Sequence, residues 1–238
     1  MSVRYDRRNR RRREELRKRI IIFSIILLIV IISGFAIWRI FSNKDEIREQ
    51  KVTKVVKEAP EFTVELLTPN EYSRPGTAME KINGIVIHYT ANPGTTAKNN
   101  RDYFEGLKDS QLTKASSHFV VGIEGEVIQC IPSSEISYAS NQRNGDTISI
   151  EVCHPDESGE FTKETYDSLV YLVAWLCGKF DLQVDDVIRH YDVTGKICPK
   201  YYVEHEDAWV KLKQDVLNYI EKNGVDPSQA VEEQSEVQ

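Results

Sequence analysis

Cysteine is scarce in this chain, with four residues in 238, at positions 130, 153, 177 and 198. That is too few, and too widely spread, for the disulfide framework that holds a small secreted domain together. Cys177 falls on an apolar helical face and reads as a small packed hydrophobe. Cys130 and Cys153 fall in apparent strands, where spacing alone leaves a bridge open, and Cys198 needs some other role. Net positive charge is missing from everything but one end. Met1–Arg19 carries ten basic residues against three acidic ones, a local charge of +7, so a formal net charge of −6 leaves −13 for the remainder. An acidic body argues against nucleic-acid binding, which needs a positive surface for the phosphates. No internal repeat is present, which excludes a solenoid or propeller.

Charge of either sign is absent from Ile20–Trp38, where Ile, Leu, Val and Phe dominate. Nineteen residues at about 1.5 Å each span roughly 28 Å, close to the thickness of a bilayer core. The basic block in front predicts a single transmembrane signal anchor, with the amino terminus cytoplasmic and the rest of the chain outside. The competing reading is a cleavable signal peptide. It would have a shorter apolar region ending in a small-x-small site, for which Ser33, Gly34 and Ala36 are only a weak candidate.

The remaining pattern divides the chain further. Residues 1–19 form a basic tail and 20–38 the anchor. Residues 39–79, mixed in charge and broken by prolines at 60, 69 and 75, read as a stalk. Residues 80–223 read as a folded domain and 224–238 as an acidic disordered tail. Within the domain, strands are expected over Ile82–Tyr89, Ser117–Ile123, Glu126–Ile131, Thr147–Cys153 and Val187–His190. Helices are expected over Thr96–Leu107, after a cap at Thr162, and over Glu206–Lys222. Strands interspersed with helices predict an α/β fold with a mixed central β-sheet flanked by helices.

The chemistry concentrates in two segments. Arg189–Pro199 reads RHYDVTGKICP and places His190 and Cys198 eight residues apart around Lys196. His88 lies about a hundred residues earlier in the largely apolar run IVIHYT. Two imidazoles and one thiolate are zinc-preferring ligands. Three protein ligands leave a tetrahedral zinc one open position, the arrangement of a catalytic rather than a structural site. His118 is ambiguous on the residues alone, because as a fourth ligand it would close the site and make it structural.

At these positions the sequence resembles the zinc-dependent N-acetylmuramoyl-L-alanine amidases, the family of amidase-type phage lysozymes and peptidoglycan recognition proteins. The resemblance runs over about Gly84–Ile220. It rests on IVIHYT, on SSHFVVG at Ser116–Gly122, on ISIEVC at Ile148–Cys153, and on the closing His-x5-Lys-x-Cys-Pro from His190 to Pro199. It implies a peptidoglycan recognition protein-like fold and Zn2+ on His88, His190 and Cys198. It implies cleavage of the amide between N-acetylmuramic acid and the L-alanine of the stem peptide, and together with the expected anchor it points to a bacterial enzyme at the membrane facing the cell wall. The substrate would be a muropeptide and the protein a monomer.

Family members carry either a tyrosine just before the SxHF-type histidine or a glutamate on the Ile-x-Ile-Glu strand. Ser117 stands at the first position, so the resemblance makes Glu151 the general base. It makes Lys196 the cation that stabilises charge on the carbonyl oxygen. It places His118 beside the cleft without ligating. His118, Asn144, Asp192 and Thr194 are candidates to support the ligands or contact substrate, and Asn141 is a further candidate for the muropeptide. A Trp-His or Tyr-His pair common in the family reads Tyr138–Ala139 here, so that histidine is missing. His154 and His205 have no motif support and read as surface residues. Some members have lost zinc ligands and only bind peptidoglycan. That alternative function is separated from catalysis by the ligand set, which is retained here.

Overall fold

The computed structural model describes residues 18, 21–35, 38–39 and 53–227. The chain divides into two units, Met1–Glu46 and Ile47–Gln238. In the first, residues 21–35 are helical and every one of them is exposed. Among the described residues no helix is long and apolar enough to cross a membrane. Three residues of the expected span, 20, 36 and 37, lie outside the described residues. So do most of the basic tail, residues 40–52 of the expected stalk and residues 228–238 of the expected acidic tail.

The second unit is built on a six-stranded mixed sheet. Its strands are β1 (Thr63–Val64), β2 (Ile85–Ile87), β3 (Phe119–Val121), β4 (Val127–Gln129), β5 (Ile148–Val152) and β6 (Val187–Arg189). They lie in the order β1-β4-β3-β5-β2-β6. Only the hairpin of β3 and β4, turning at Gly125, is antiparallel; β1–β4, β3–β5, β5–β2 and β2–β6 are parallel. This is the expected mixed sheet with flanking helices, and each strand is shorter than its apolar run. Parallel strands buried on both faces are near-continuously apolar, which is how Ile85–Ile87 and Phe119–Val121 read.

Three long helices cover the sheet: α1 (Ala97–Ser110), α2 (Lys163–Phe180) and, after two five-residue helices α3 (His190–Thr194) and α4 (Lys200–Glu204), α5 (Glu206–Asn223). The Thr96 hydroxyl accepts from the Asn99 backbone N–H, and that of Thr162 accepts from the Thr165 N–H. Each satisfies a donor that the first helical turn leaves free. One core cluster joins Ala97, Phe104 and Leu107 of α1 to Val120 and Ile128 of the sheet and to Cys130 and Cys153, which follow β4 and β5. All four cysteines are buried and free.

The stalk expected over 39–79 ends earlier than its composition indicates. β1 pairs in register with β4, Thr63 opposite Ile128, and Leu67 is 1% exposed within the α1 cluster. Further back, Val55 and Val225 exchange backbone hydrogen bonds of 2.9 and 3.0 Å. Val56 lies over Gly178 of α2, where an added Cβ would sit 3.1 Å from its nitrogen. The mixed charge of this stretch hid an edge strand of only two residues, too short to show a period. Leu67→Ala should therefore destabilise the folded domain by about 2–5 kcal/mol, as for a buried leucine in a core. Urea unfolding of the variant against wild type measures this, and an unchanged midpoint would return the segment to the stalk.

Candidate active site

Strand register builds the site. Ile87 of β2 pairs with Ile150 of β5 on one side and Arg189 of β6 on the other. The next residues along, Glu151, His88 and His190, therefore stand level on three adjacent parallel strands and share one face. His190 also opens α3, and the chain then turns through Gly195 (φ 79°) to return Cys198 to the same place. The Tyr191 N–H donates to the Cys198 carbonyl at 2.9 Å and closes this loop.

The His88, His190 and Cys198 donor atoms lie within 4.8 Å of one another, and all three residues are buried. Cys198 Sγ is 3.8 Å from His88 Nδ1, and the two imidazole centroids are 4.7 Å apart. Among the described residues no other three His, Cys, Asp or Glu side chains gather in this way. His88 Nε2 lies 3.1 Å from Ser140 Oγ. His190 Nε2 lies 2.8 Å from Asn141 Oδ1, an oxygen that can only accept, so Nε2 carries the hydrogen. That leaves Nδ1 of His190 as a bare lone pair, and it is buried with no partner.

Burial holds these groups neutral. It lowers His88 well below the usual histidine range, with His190 and Lys196 adding to the effect, and it lowers His190 likewise. Burial pushes the Cys198 thiol up to about 12, reinforced by Glu151, whereas the Tyr89 N–H and Lys196 favour the thiolate. Two neutral imidazoles and a cysteine sulfur, which binds metal as the thiolate once its proton is released, form a donor set that fits a soft-to-borderline dication such as zinc.

A cleft of about 410 Å³ opens on this cluster, lined among others by His88, His190, Glu151, Lys196, Asn144 and Tyr138. Glu151 Oε2 is buried and unpartnered. Burial pushes its carboxyl up to about 8, opposed by the positive charge of Lys196. Other residues of the sequence reading stand elsewhere. His118 shares the face of Glu151 but lies one pleat back, opposite Ser149, and is fully buried. Its Nε2 donates to the Glu135 carbonyl at 2.8 Å and its Nδ1 accepts from the Ser149 N–H at 3.0 Å, so neither nitrogen is free for a ligand or a substrate.

Asp192 spends both carboxylate oxygens on Arg189, at 2.9 and 3.1 Å, and caps α3. Thr194 accepts from the Lys196 N–H and supports the turn. Asn144 reaches the cleft, but its Oδ1 accepts from the N–H groups of Ala139 and Ser140. His154, expected at the surface, is 1% exposed and packs on Tyr89 with centroids 5.1 Å apart. Ser140 had no sequence signal, because its contact to His88 spans 52 residues.

A family model described as N-acetylmuramoyl-L-alanine amidase matches residues 78–201. Over 160 residues the chain is 36% identical to N-acetylmuramoyl-L-alanine amidase CwlL of Bacillus licheniformis, covering 62% of this chain and 44% of that one. It is 33% identical over 176 residues to N-acetylmuramoyl-L-alanine amidase BlyA of Bacillus subtilis (strain 168), covering 65% and 46%. This chain thus spans about half the length of the curated relatives it matches. Among solved structures, the catalytic domain of XlyA superposes with a TM-score of 0.57 at 25% identity, over 66% of this chain and 97% of that one. The PlyG catalytic domain gives 0.58 at 25%, over 67% and 94%.

His118 supplies a pH signature apart from the donor cluster. Burial lowers it to about 4, partly offset by the Glu135 carbonyl and carboxylate. A histidine whose folded value lies below its unfolded value of about 6.5 contributes stability above that pH and loses it as pH falls through the folded value. The contribution is about 3 kcal/mol. His118→Gln should lose about that much less stability than wild type between pH 7 and pH 4. Chemical unfolding at both pH values checks it, and equal losses would mean that His118 is not held neutral.

Proposed function

The chain belongs to the N-acetylmuramoyl-L-alanine amidase family, and from that premise we propose that it hydrolyses the amide joining N-acetylmuramic acid to the L-alanine of the peptidoglycan stem peptide. The observation that carries this reading is one cleft lined by His88 and His190, which meet Cys198 behind it, together with the unpartnered buried carboxyl oxygen of Glu151 and the Lys196 cation. His88, His190 and Cys198 would hold Zn2+. When bound, zinc supplies a Lewis acid and a water made more acidic.

The residues of the chain do the rest. Glu151, with a proton affinity near neutrality, takes a proton from the attacking water. The water oxygen adds to the carbonyl carbon of the lactyl group. Lys196 faces the same cleft and offsets the negative charge growing on the carbonyl oxygen. Glu151 then returns the proton to the nitrogen as the C–N bond breaks. The products are the free carboxylic acid on the sugar and the free amine of alanine. A binding-only role fits less well, since it needs none of these groups and all of them converge here. Glu151→Gln should lower turnover of purified peptidoglycan by roughly 10²-fold or more while zinc content stays near one per chain. Release of new alanine amino groups, with zinc measured on the same samples, tests this. Wild-type turnover in the variant would remove Glu151 from the mechanism.

The same reading places the enzyme at the outer face of a bacterial membrane, tethered by 20–38. Support comes from the uncharged run of nineteen residues and from the exposure of every described side chain in 21–35. The basic block on its amino-terminal side sets the orientation. Protease added to cells stripped of their wall should digest the domain and leave a small membrane fragment that begins at Met1. Mature protein in the medium beginning near Phe35–Arg39 would make the segment a cleaved signal peptide.

A further inference from the structure

In the loop Tyr138–Asn144, Asn141 and Asn144 are candidates to meet the muropeptide or support the ligands, and Ala139 leaves the loop without the histidine found at that position in the resemblance. Yet it touches both imidazoles. Ser140, 1% exposed, meets His88 Nε2 at 3.1 Å, and Asn141 meets His190 Nε2 at 2.8 Å. We infer that Ser140 and Asn141 are positioning residues that fix the tautomer and orientation of the two histidines for metal binding, an inference that rests on the metal-site reading above.

The loop is built to hold those two atoms still. Its start is locked to the segment before β3 by the Ser116 N–H to the Tyr138 carbonyl, 3.1 Å, and by the Tyr138 N–H to Ser116 Oγ, 3.0 Å. Asn144 Oδ1 accepts from the N–H groups of Ala139 and Ser140 at 3.1 and 2.6 Å, which pulls the bend shut from inside. Gln142 Nε2 donates to the Val193 carbonyl at 2.8 Å and ties the loop to α3, the helix that His190 opens.

Asn141 itself sits at φ 52°, a left-handed conformation that asparagine tolerates better than most residues. The conformation aims its amide at His190. Chemistry gives these contacts a direction. Asn141 Oδ1 accepts from His190 Nε2–H, which leaves the buried, unpartnered Nδ1 of that ring as a lone pair. Ser140 Oγ can accept from His88 Nε2–H, the tautomer that makes His88 Nδ1, 3.8 Å from Cys198 Sγ, a lone pair. A ring with the opposite tautomer would present N–H there and could not ligate. Partners of this kind typically change metal affinity by 10–100-fold.

Three variants test this in the full chain. Ser140→Ala removes only the hydroxyl. Asn141→Gly removes the amide while suiting the left-handed backbone. Asn141→Asp keeps an acceptor oxygen in place. Zinc affinity is measured by competition with a chromogenic chelator, and the visible spectrum of the cobalt-loaded chain is recorded alongside. Ser140→Ala and Asn141→Gly should each weaken zinc binding by roughly 10–100-fold. Their metal-free melting temperatures should stay near wild type, and Asn141→Asp should keep near-wild-type affinity. Equal zinc affinity and an unchanged cobalt spectrum in Ser140→Ala and Asn141→Gly, with a zinc-binding wild type, would overturn this inference alone. Weakening matched by an equal loss of metal-free stability would also overturn it, since the residues would then be structural. A wild-type chain that takes up no zinc would overturn the metal-site reading and this inference with it.

Discussion

The in-register parallel pairing of β5, β2 and β6 is the constraint on which the rest depends. Because Ile87 is level with both Ile150 and Arg189, the next residue on each strand emerges at the same height and on the same face. Glu151, His88 and His190 are therefore adjacent for a backbone reason, before any side-chain interaction is formed. A one-residue slip of any of the three strands would turn its functional side chain to the opposite face, and on β5 or β2 could bring an apolar residue into the cleft in its place. The apolar residues before and within each strand guard against that slip, since Ile85, Ile87, Ile148, Ile150 and Val187 are each at most 1% exposed.

The carboxyl-terminal side of the site is fixed differently, by charge. Arg189 is 5% exposed and directs its guanidinium to Asp192, to Glu206 and to the Tyr202 carbonyl, between the rings of Tyr191 and Trp209. One buried cation thereby pins α3, α4 and α5 around the turn that carries Lys196 and Cys198. Asp192 acts in the site through this clamp and not through the cleft. The electrostatic character of the cleft follows from the same compactness. Burial disfavours charge on the imidazoles, the thiol and the Glu151 carboxyl alike, while Lys196, exposed at the cleft edge, favours the Glu151 carboxylate.

Much of the fold was legible in the sequence, and for identifiable reasons. The runs IVIHYT and ISIEVC are apolar enough to be nothing but buried strands, and Thr96 and Thr162 mark helix starts by their hydroxyls. The trio His88, His190 and Cys198 could be read because thiolate and imidazole at a compact spacing have few structural uses. Other features were not legible. β1 is two residues long and lies in a stretch of mixed charge. His118 sits in a motif with the appearance of a site, but one pleat back from Glu151 its ring is enclosed by Ser149 and the Glu135 carbonyl. His154 carries no pattern at all, and only packing against Tyr89 buries it.

The sequence by itself determined most element types, the candidate donor set and the family, because those depend on local periodicity and on the chemistry of particular residue types. Tertiary structure alone decided which side chains meet in the cluster and which polar residues touch its two imidazoles. Ser140 and Asn141 reach histidines 52 and 49 residues away. Contacts of that range are set by strand order and register, and no local pattern in the chain encodes which turn will close over which strand end.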